Sequence, residues 1–334
     1  MDLSLSLTGL GSKSSGDSQS EPEARNLVII GSGPAGMTAA IYAARADRAP
    51  LVIAGSAFGG QVAQTALIEN YSGFQEGIVG LNLIEQMIDQ AKKFGAEIEF
   101  DEVTKFDSTV YPFLIKTAGN SYTARAVIIT TGASPRRLGV PGESKFFGRG
   151  VSTCATCDGY FYRDRPIVVV GGGDSAMDES IYLTRFASSI TVVHRRDALR
   201  ASAIAQERAF AEKKIQFRWN SVIKEILGDT VVTGVKLRDV KTNEVNELAT
   251  DGVFIFIGLV PNTRLFAGQI DLDENGYIVT DRHYQTNVPG VFAAGDVQDP
   301  HYRQVIVAAG SGAAAAIEAE HFLAQKDYEL GKLE

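Results

Sequence analysis

The chain has 334 residues, 45% hydrophobic and 22% charged, with a formal net charge of −8 and a sequence pI near 5.2. This is the composition of an ordinary globular protein, long enough for about two domains. The acidic balance argues against nucleic acid or an anionic membrane surface as the main partner, because both call for a basic face, and no apolar run reaches the roughly 18 residues of a membrane-crossing helix.

Residues 1–24 are rich in Ser, Gly, Asp and Glu and read as a disordered N-terminal tail. The tail lacks the positive and apolar regions of a secretory signal; it is Ser-rich like a transit peptide, but acidic and poor in arginine. Order is expected from Asn26. Asn26–Ile30 is a short apolar run suited to a strand buried on both faces. Gly31-Ser32-Gly33-Pro34-Ala35-Gly36 follows, then an Ala-rich helical stretch, Met37–Arg45. This is G-x-G-x-x-G between strand and helix. Gly31 permits the tight turn, Gly33 lets a pyrophosphate approach the backbone, and Gly36 lets helix and strand pack closely. The acidic residue that often binds the ribose is missing at Leu51–Gly55. A further apolar run, Ala126–Thr130, leads into Thr131-Gly132-Ala133.

Next comes Cys154-Ala155-Thr156-Cys157-Asp158-Gly159, which holds both cysteines of the chain. Zinc normally takes four Cys or His ligands, and the four histidines (His194, His283, His301, His321) are scattered. A purely structural disulfide closing so short a loop restrains the unfolded chain little. A reversible dithiol is the third reading: C-x-x-C geometry allows it, and Asp158 is placed to exchange protons with a thiolate. Asp158 also reads as a helix N-cap or turn residue. So sparing a use of cysteine points to the cytoplasm.

A second fingerprint follows. Pro166–Val170 is a buried-strand run, Gly171-Gly172-Gly173-Asp174-Ser175-Ala176 reads G-x-G-x-x-A, and Met177–Phe186 is helical. Two fingerprints in strand–turn–helix context indicate two dinucleotide sites. The next strand, Ile190–Val193, ends at His194-Arg195-Arg196, with Arg200 four residues on. Planar, permanently charged guanidinium forks there suit a 2′-phosphate and favour NADPH over NADH; the alternative is a solvated basic patch. Val253–Ile257 and Val291–Ala294 are further strands, the second running into Gly295-Asp296, and Val305–Leu323 is an Ala-rich helix. The first nucleotide unit thus reads as interrupted by the second, returning near Ala267, with hinges near Pro135–Pro141 and Pro261–Gly268.

In order and spacing, these motifs resemble the low-molecular-weight thioredoxin reductases over roughly residues 25–325. The resemblance rests on Gly31–Gly36, Gly59-Gly60-Gln61, Thr131-Gly132-Ala133, Cys154–Asp158, Gly171–Ala176, His194-Arg195-Arg196, Gly295-Asp296 and Arg303-Gln304. The missing acid at Ala54 is common in that family. The resemblance implies an α/β protein of two Rossmann-like, three-layer ββα domains, the second inserted into the first. FAD would bind 25–136 and 267–330, and NADPH would bind 137–266, which carries the dithiol. FAD contacts would come from Gly31, Gly33, Pro34, Ala35 and Gly36, from Gly60, Gln61, Asn70 and Gly132, and from Gly295, Asp296, Arg303 and Gln304. NADPH contacts would come from Gly173, Asp174 and Ser175, with His194, Arg195, Arg196 and Arg200 at the 2′-phosphate. Electrons would pass from NADPH through FAD to Cys154–Cys157, with Cys157 nearer the flavin and Asp158 handling protons, and from Cys154 to thioredoxin. The nucleotide domain would rotate between half-reactions, in a homodimer. Three alternatives share the scaffold. A peroxidase-linked disulfide reductase often adds an N-terminal dithiol domain, and no extra Cys is present. A ferredoxin- or flavin-fed reductase tends to lose the arginine motif. A flavin-bound redox sensor has no need of a second nucleotide site.

Overall fold

The computed structural model describes residues 21–332 apart from 57 and 66, so nearly all of the expected disordered tail lies outside the described residues. The first unit is built from β1 (Glu23–Ile30), α1 (Pro34–Arg45), β2 (Leu51–Ile53), α2 (Gly80–Lys93), β3 (Glu97–Glu99), β4 (Lys105–Asp107), β5 (Phe113–Lys116) and β6 (Ser121–Ile129). The chain leaves it through β7 (Ala133–Pro135). The inserted unit comprises α3 (Glu143–Phe146), β8 (Val151–Ser152), α4 (Ala155–Asp158), β9 (Pro166–Gly171), α5 (Asp174–Leu183), β10 (Ser189–Val193), α6 (Ala203–Ala211) and β11 (Ile215–Arg218). It continues with β12 (Ser221–Gly228), β13 (Val232–Asp239), β14 (Val245–Ala249) and β15 (Gly252–Phe256). The chain returns through β16 (Leu259–Pro261) to β17 (Val291–Ala293) and a long helix, α7 (Val305–Gly331).

The first sheet has the order β3-β2-β1-β6-β5-β4. β5 pairs antiparallel with the N-terminal half of β6, and β17 pairs parallel with its C-terminal half. The last four residues of β1 and of β6 are fully apolar and buried, because helices cover one face and a second apolar cluster the other. α1, α2 and α7 supply the first cluster; Phe106, Phe113, Phe266 and Ile270 belong to the second. The inserted unit repeats the design with a parallel sheet, β11-β10-β9-β15-β8, and a separate antiparallel sheet, β12-β13-β14. Met177, Leu183 and Ala205 pack on one face of the parallel sheet; Val168 and Val170 meet Ile226 and Val235 of the antiparallel sheet on the other. Each unit therefore carries its own core.

Some boundaries differ from the sequence reading. Glu23 and Ala24 are strand rather than tail, because they pair with Tyr122 and Thr123, and Arg25 bridges Glu23 and Glu97. α1 and α5 begin at Pro34 and Asp174, three residues earlier than expected, since the fingerprint residues themselves form the first turn. α7 runs on to Gly331; Arg48 and Arg125 reach Glu320 and Asp327 and hold its polar end. The two crossings between units pair with each other: β7 lies antiparallel to β16, the Arg136 N–H donates to Gly258 O, and the Asn262 N–H donates to Gly132 O. Phe266 is already buried in the first unit, so the chain has returned before Ala267.

α7 packs closely against α1. A Cβ on Gly312 would stand 2.1 Å from Ala35 O, whereas one on Gly310, two residues earlier, would meet nothing within 4 Å. Gly312→Ala is expected to destabilise by ~1–3 kcal/mol through overpacking. Gly310→Ala should stabilise by ~0.5–1 kcal/mol through helix propensity. Thermal unfolding of both variants checks the pair, and equal effects would contradict it.

Candidate active site

The first glycine turn is shaped by what it touches. Gly31 has φ +118° and a Cβ there would meet Thr130 O at 2.4 Å; a Cβ on Gly36 would meet Gly31 O at 2.0 Å. The protein itself therefore requires both glycines. Gly33 differs: its φ of −69° and ψ of 179° suit any residue, and a Cβ would meet nothing within 4 Å. Its bare backbone faces open space, where only a ligand lying against it would need glycine. Pro34 takes the first helical position, and no acidic residue stands in the first turn of α1, so the positive helix end is uncompensated. The free N–H groups of Ala35 and Gly36 lie at that end. These features fit a dinucleotide pyrophosphate.

The turn lines a cavity of about 2120 Å³. Gly60, Gln61, Asn70 and Gly132 line it too, as do Gly295, Asp296, Arg303 and Gln304. Gln61 Nε2 donates to Ala133 O, tying the loop to the start of β7. Asn70 Nδ2 donates to Gln304 Oε1 at 3.0 Å. Burial pushes the half-buried Asp296 carboxyl up to about 6, with Asp299 adding to the rise and Arg303 opposing it.

The same cavity is lined by Cys154, Cys157 and Asp158. The two cysteines form a disulfide with their Cα atoms 5.4 Å apart. Cys154 precedes α4, and its Sγ accepts the Cys157 N–H at 3.2 Å. Ser152 fixes the approach: its Oγ accepts the Cys154 N–H at 3.0 Å. Burial holds the Asp158 carboxyl above the usual carboxylate range, while a hydrogen bond from Ser152 pulls the other way. Tyr162 lines the same wall, its phenol pushed to about 12 by burial and then by Asp158.

The second glycine turn is not part of that wall. A Cβ on Gly173 would meet nothing within 4 Å, as at Gly33, whereas one on Gly171 would strike Phe256 O at 2.5 Å. Arg200 and Ala201 donate their backbone N–H groups to Gly172 O at 2.7 and 3.1 Å, which brings Arg200 beside the turn. The Asp174 carboxylate accepts the Ser202 N–H at 2.8 Å and is held below its usual range by that bond. Its carboxylate is thereby committed to the loop that carries Arg200. Ser175 is exposed on the first turn of α5, and Arg195 and Arg196 are exposed just past β10. His194 stands apart from them. It is only 6% exposed, its Nε2 lies 3.1 Å from Ala198 O, and a Cβ on Gly172 would strike its ring at 2.3 Å. Burial lowers its pKa, so the ring packs as a neutral support beneath the turn.

Several polar residues at these sites carry no motif of their own. Buried Ser32 donates to Ala54 O and accepts the Gly59 N–H, joining the turn to the next loop. Its signal was only the variable position of the fingerprint. Thr156 accepts from Gln304 Nε2 at 3.1 Å across the two units. Glu179 on α5 lines the cavity with a buried Oε2 that has no partner, and burial raises its pKa. Among the described residues, no group of three or more His, Cys, Asp or Glu is arranged to hold a metal, and no helix is long and apolar enough to cross a membrane.

Two glycine turns, each between a parallel strand and a helix of its own unit, and a disulfide between them in the chain define a dinucleotide-linked disulfide oxidoreductase. A family described as pyridine nucleotide-disulphide oxidoreductase matches residues 25–312. The chain belongs to that family and, within it, to the low-molecular-weight thioredoxin reductases. It is 53% identical to a thioredoxin reductase of Streptomyces coelicolor over 90% of this chain and 95% of the relative. A crystal structure of thioredoxin reductase from Streptococcus pyogenes superposes with a TM-score of 0.87 at 47% identity, covering 90% of this chain and 99% of that one. A Lactococcus lactis thioredoxin reductase structure, titled as an FR conformation, gives 0.62 at 46% identity and the same coverage.

Asp296 makes stability depend on pH. Its folded-state pKa of about 6 lies above the ordinary 3.8, so the folded flavin-free protein binds the proton more tightly than the unfolded chain. Stability should fall as pH rises from about 4 through about 6, costing at most ~3 kcal/mol above that window. Asp296→Asn should unfold at a higher temperature than wild type near about pH 8, with the difference gone near about pH 4. Calorimetry at the two pH values checks this, and a gap that persists in acid would contradict it.

Proposed function

We propose that this chain is an NADPH-dependent thioredoxin reductase, and the observation that carries the reading is the Cys154–Cys157 disulfide in the wall of the cavity lined by the first glycine turn. FAD, when bound, supplies the two-electron relay between the nicotinamide and a disulfide. Gly31–Gly36 and the start of α1 hold its pyrophosphate, with Gln61, Asn70, Asp296, Arg303 and Gln304 along its length. Gly173–Ser175 hold NADPH, and Arg195, Arg196 and Arg200 clamp the 2′-phosphate as bidentate cations. Cys157 is the flavin-side sulfur.

The reduced dithiol then acts on the protein substrate. The Cys154 thiolate attacks one sulfur of the thioredoxin disulfide; a mixed disulfide forms, and the other thioredoxin sulfur leaves as a thiolate that takes a proton. The Cys157 thiolate attacks Cys154 Sγ, which re-forms Cys154–Cys157 and releases the second thioredoxin thiolate. Asp158 keeps its proton to a higher pH than an ordinary carboxyl, which suits it to protonate a departing sulfur.

The second turn and its arginines lie outside the cavity that the disulfide lines. Nicotinamide and dithiol must therefore take turns, and rotation of the inserted unit about β7 and β16 provides for this. Two solved relatives of nearly equal identity, 47% and 46%, differ widely in TM-score, 0.87 against 0.62. Sequence divergence alone does not account for such a gap, which supports two arrangements of the units. A homodimer is part of the same reading, with Tyr42, Leu81 and Phe94 as exposed apolar side chains on the first unit. Light scattering should then give twice the 35.8 kDa chain mass. Reversible use of the only two cysteines suits a reducing compartment such as the cytoplasm.

NADPH-driven DTNB reduction, with and without thioredoxin, tests the assignment. Thioredoxin-dependent turnover that Cys157→Ser abolishes is expected. Flavin reduction without such turnover would point to another disulfide partner, and no flavin reduction by NADPH would overturn the electron donor. Gly33→Ala isolates the cofactor cradle: apoprotein stability should move by less than about 1 kcal/mol, while the purified protein should lose most of its flavin absorbance. Full flavin retention would contradict the placement of the pyrophosphate.

A further inference from the structure

We infer that Thr156, between the two cysteines, is a further catalytic residue whose hydroxyl donates to Cys154 Sγ and stabilises the attacking thiolate. Thr156 Oγ1 lies 3.4 Å from Cys154 Sγ. The direction of this bond is set from the other unit. Asn70 has only its Nδ2 to donate, and it gives a hydrogen to Gln304 Oε1 at 3.0 Å. The Arg303 backbone carbonyl, which can only accept, takes a hydrogen from Gln304 Nε2 at 3.1 Å, and this fixes the amide with Nε2 toward Thr156 Oγ1, 3.1 Å away. A hydroxyl has one hydrogen and two lone pairs. With one lone pair taken by Gln304, the hydrogen is free for sulfur, and a sulfur in a disulfide has none to offer in return. Cys154 Sγ already accepts the Cys157 N–H at 3.2 Å, so the hydroxyl gives it a second donor.

This inference rests on the dithiol reading and extends it. In the disulfide the bond is weak, because neutral sulfur is a poor acceptor. Once the pair is reduced, the sulfur carries charge and the same donor becomes charge-assisted and stronger. Thr156 travels with the dithiol, being part of the same short segment, while Gln304 and Asn70 stay with the first unit. The hydroxyl therefore still reaches Cys154 when the segment turns toward a protein substrate.

The test uses flavin-loaded protein carrying Cys157→Ser, so that Cys154 is the single thiol, alkylated with iodoacetamide across the thiol titration range. Removing a donor from a thiolate should raise its apparent pKa and cut the thiolate population at neutral pH about tenfold. A more basic thiolate is also a better nucleophile, so Thr156→Val should react about threefold slower at neutral pH and about threefold faster on the alkaline plateau. Thr156→Ser should restore the wild-type profile. An unchanged profile for Thr156→Val, or the same slowing for Val and Ser at every pH, would overturn the inference. Should the valine variant lose its flavin spectrum, Thr156→Ala provides the same comparison with less bulk. A Thr156 effect on alkylation, with no thioredoxin turnover by the enzyme that keeps both cysteines, would sink the thioredoxin assignment and leave this inference standing.

Discussion

The structure depends on one constraint: the disulfide belongs to the inserted unit but faces a cavity of the first. Cys154 follows β8, an edge strand held in the inserted sheet by β15, yet its neighbour Thr156 bonds to Gln304 just ahead of α7. Only two strands of three residues, β7 and β16, connect the units, and they pair with each other rather than with either main sheet. A crossing so slight costs little to bend. Each unit has its own apolar clusters, so a change in their relative arrangement need not open either core.

Much of this was legible in the sequence where the message is local. A glycine turn between a buried strand and a helix is written in consecutive residues, because its constraints act within one turn of backbone. Gly31 and Gly36 answer to the protein, and Gly33 and Gly173 to open space beside it, yet all four belong to the same short patterns. Cys154, Cys157 and the arginine run were equally local. Helix starts were read late because the turn and the first helical residues are the same residues.

Long-range pairing was hidden. Glu23 and Ala24 look like the end of a polar tail, and only Tyr122 and Thr123, far along the chain, make them strand. Ser32 occupies a position that the fingerprint leaves free, but its two bonds go to Ala54 and Gly59. His194 reads as the first of three cations, yet its ring is enclosed beneath Gly172, where burial keeps it neutral. Asp174 shows the same ambiguity, since its carboxylate is committed to the backbone of the loop carrying Arg200. In both cases the motif is intact and the side chain's work is to hold the turn in shape.

The carboxyl groups around the cavity share a physical cause. Asp158, Glu179 and Asp296 all have raised pKa values, and burial is the largest cause in each. They come from α4, α5 and the segment after β17, so the low-dielectric wall between the units is built from both. Arg303 opposes the rise at Glu179 and at Asp296 alike. A single guanidinium from the first unit thus acts on a carboxyl of each unit, and withdrawing it from Glu179 would leave a buried, unpaired oxygen with a stronger tendency to take a proton. Any motion that separates the units therefore changes proton affinity in the same wall that holds the dithiol and Asp158.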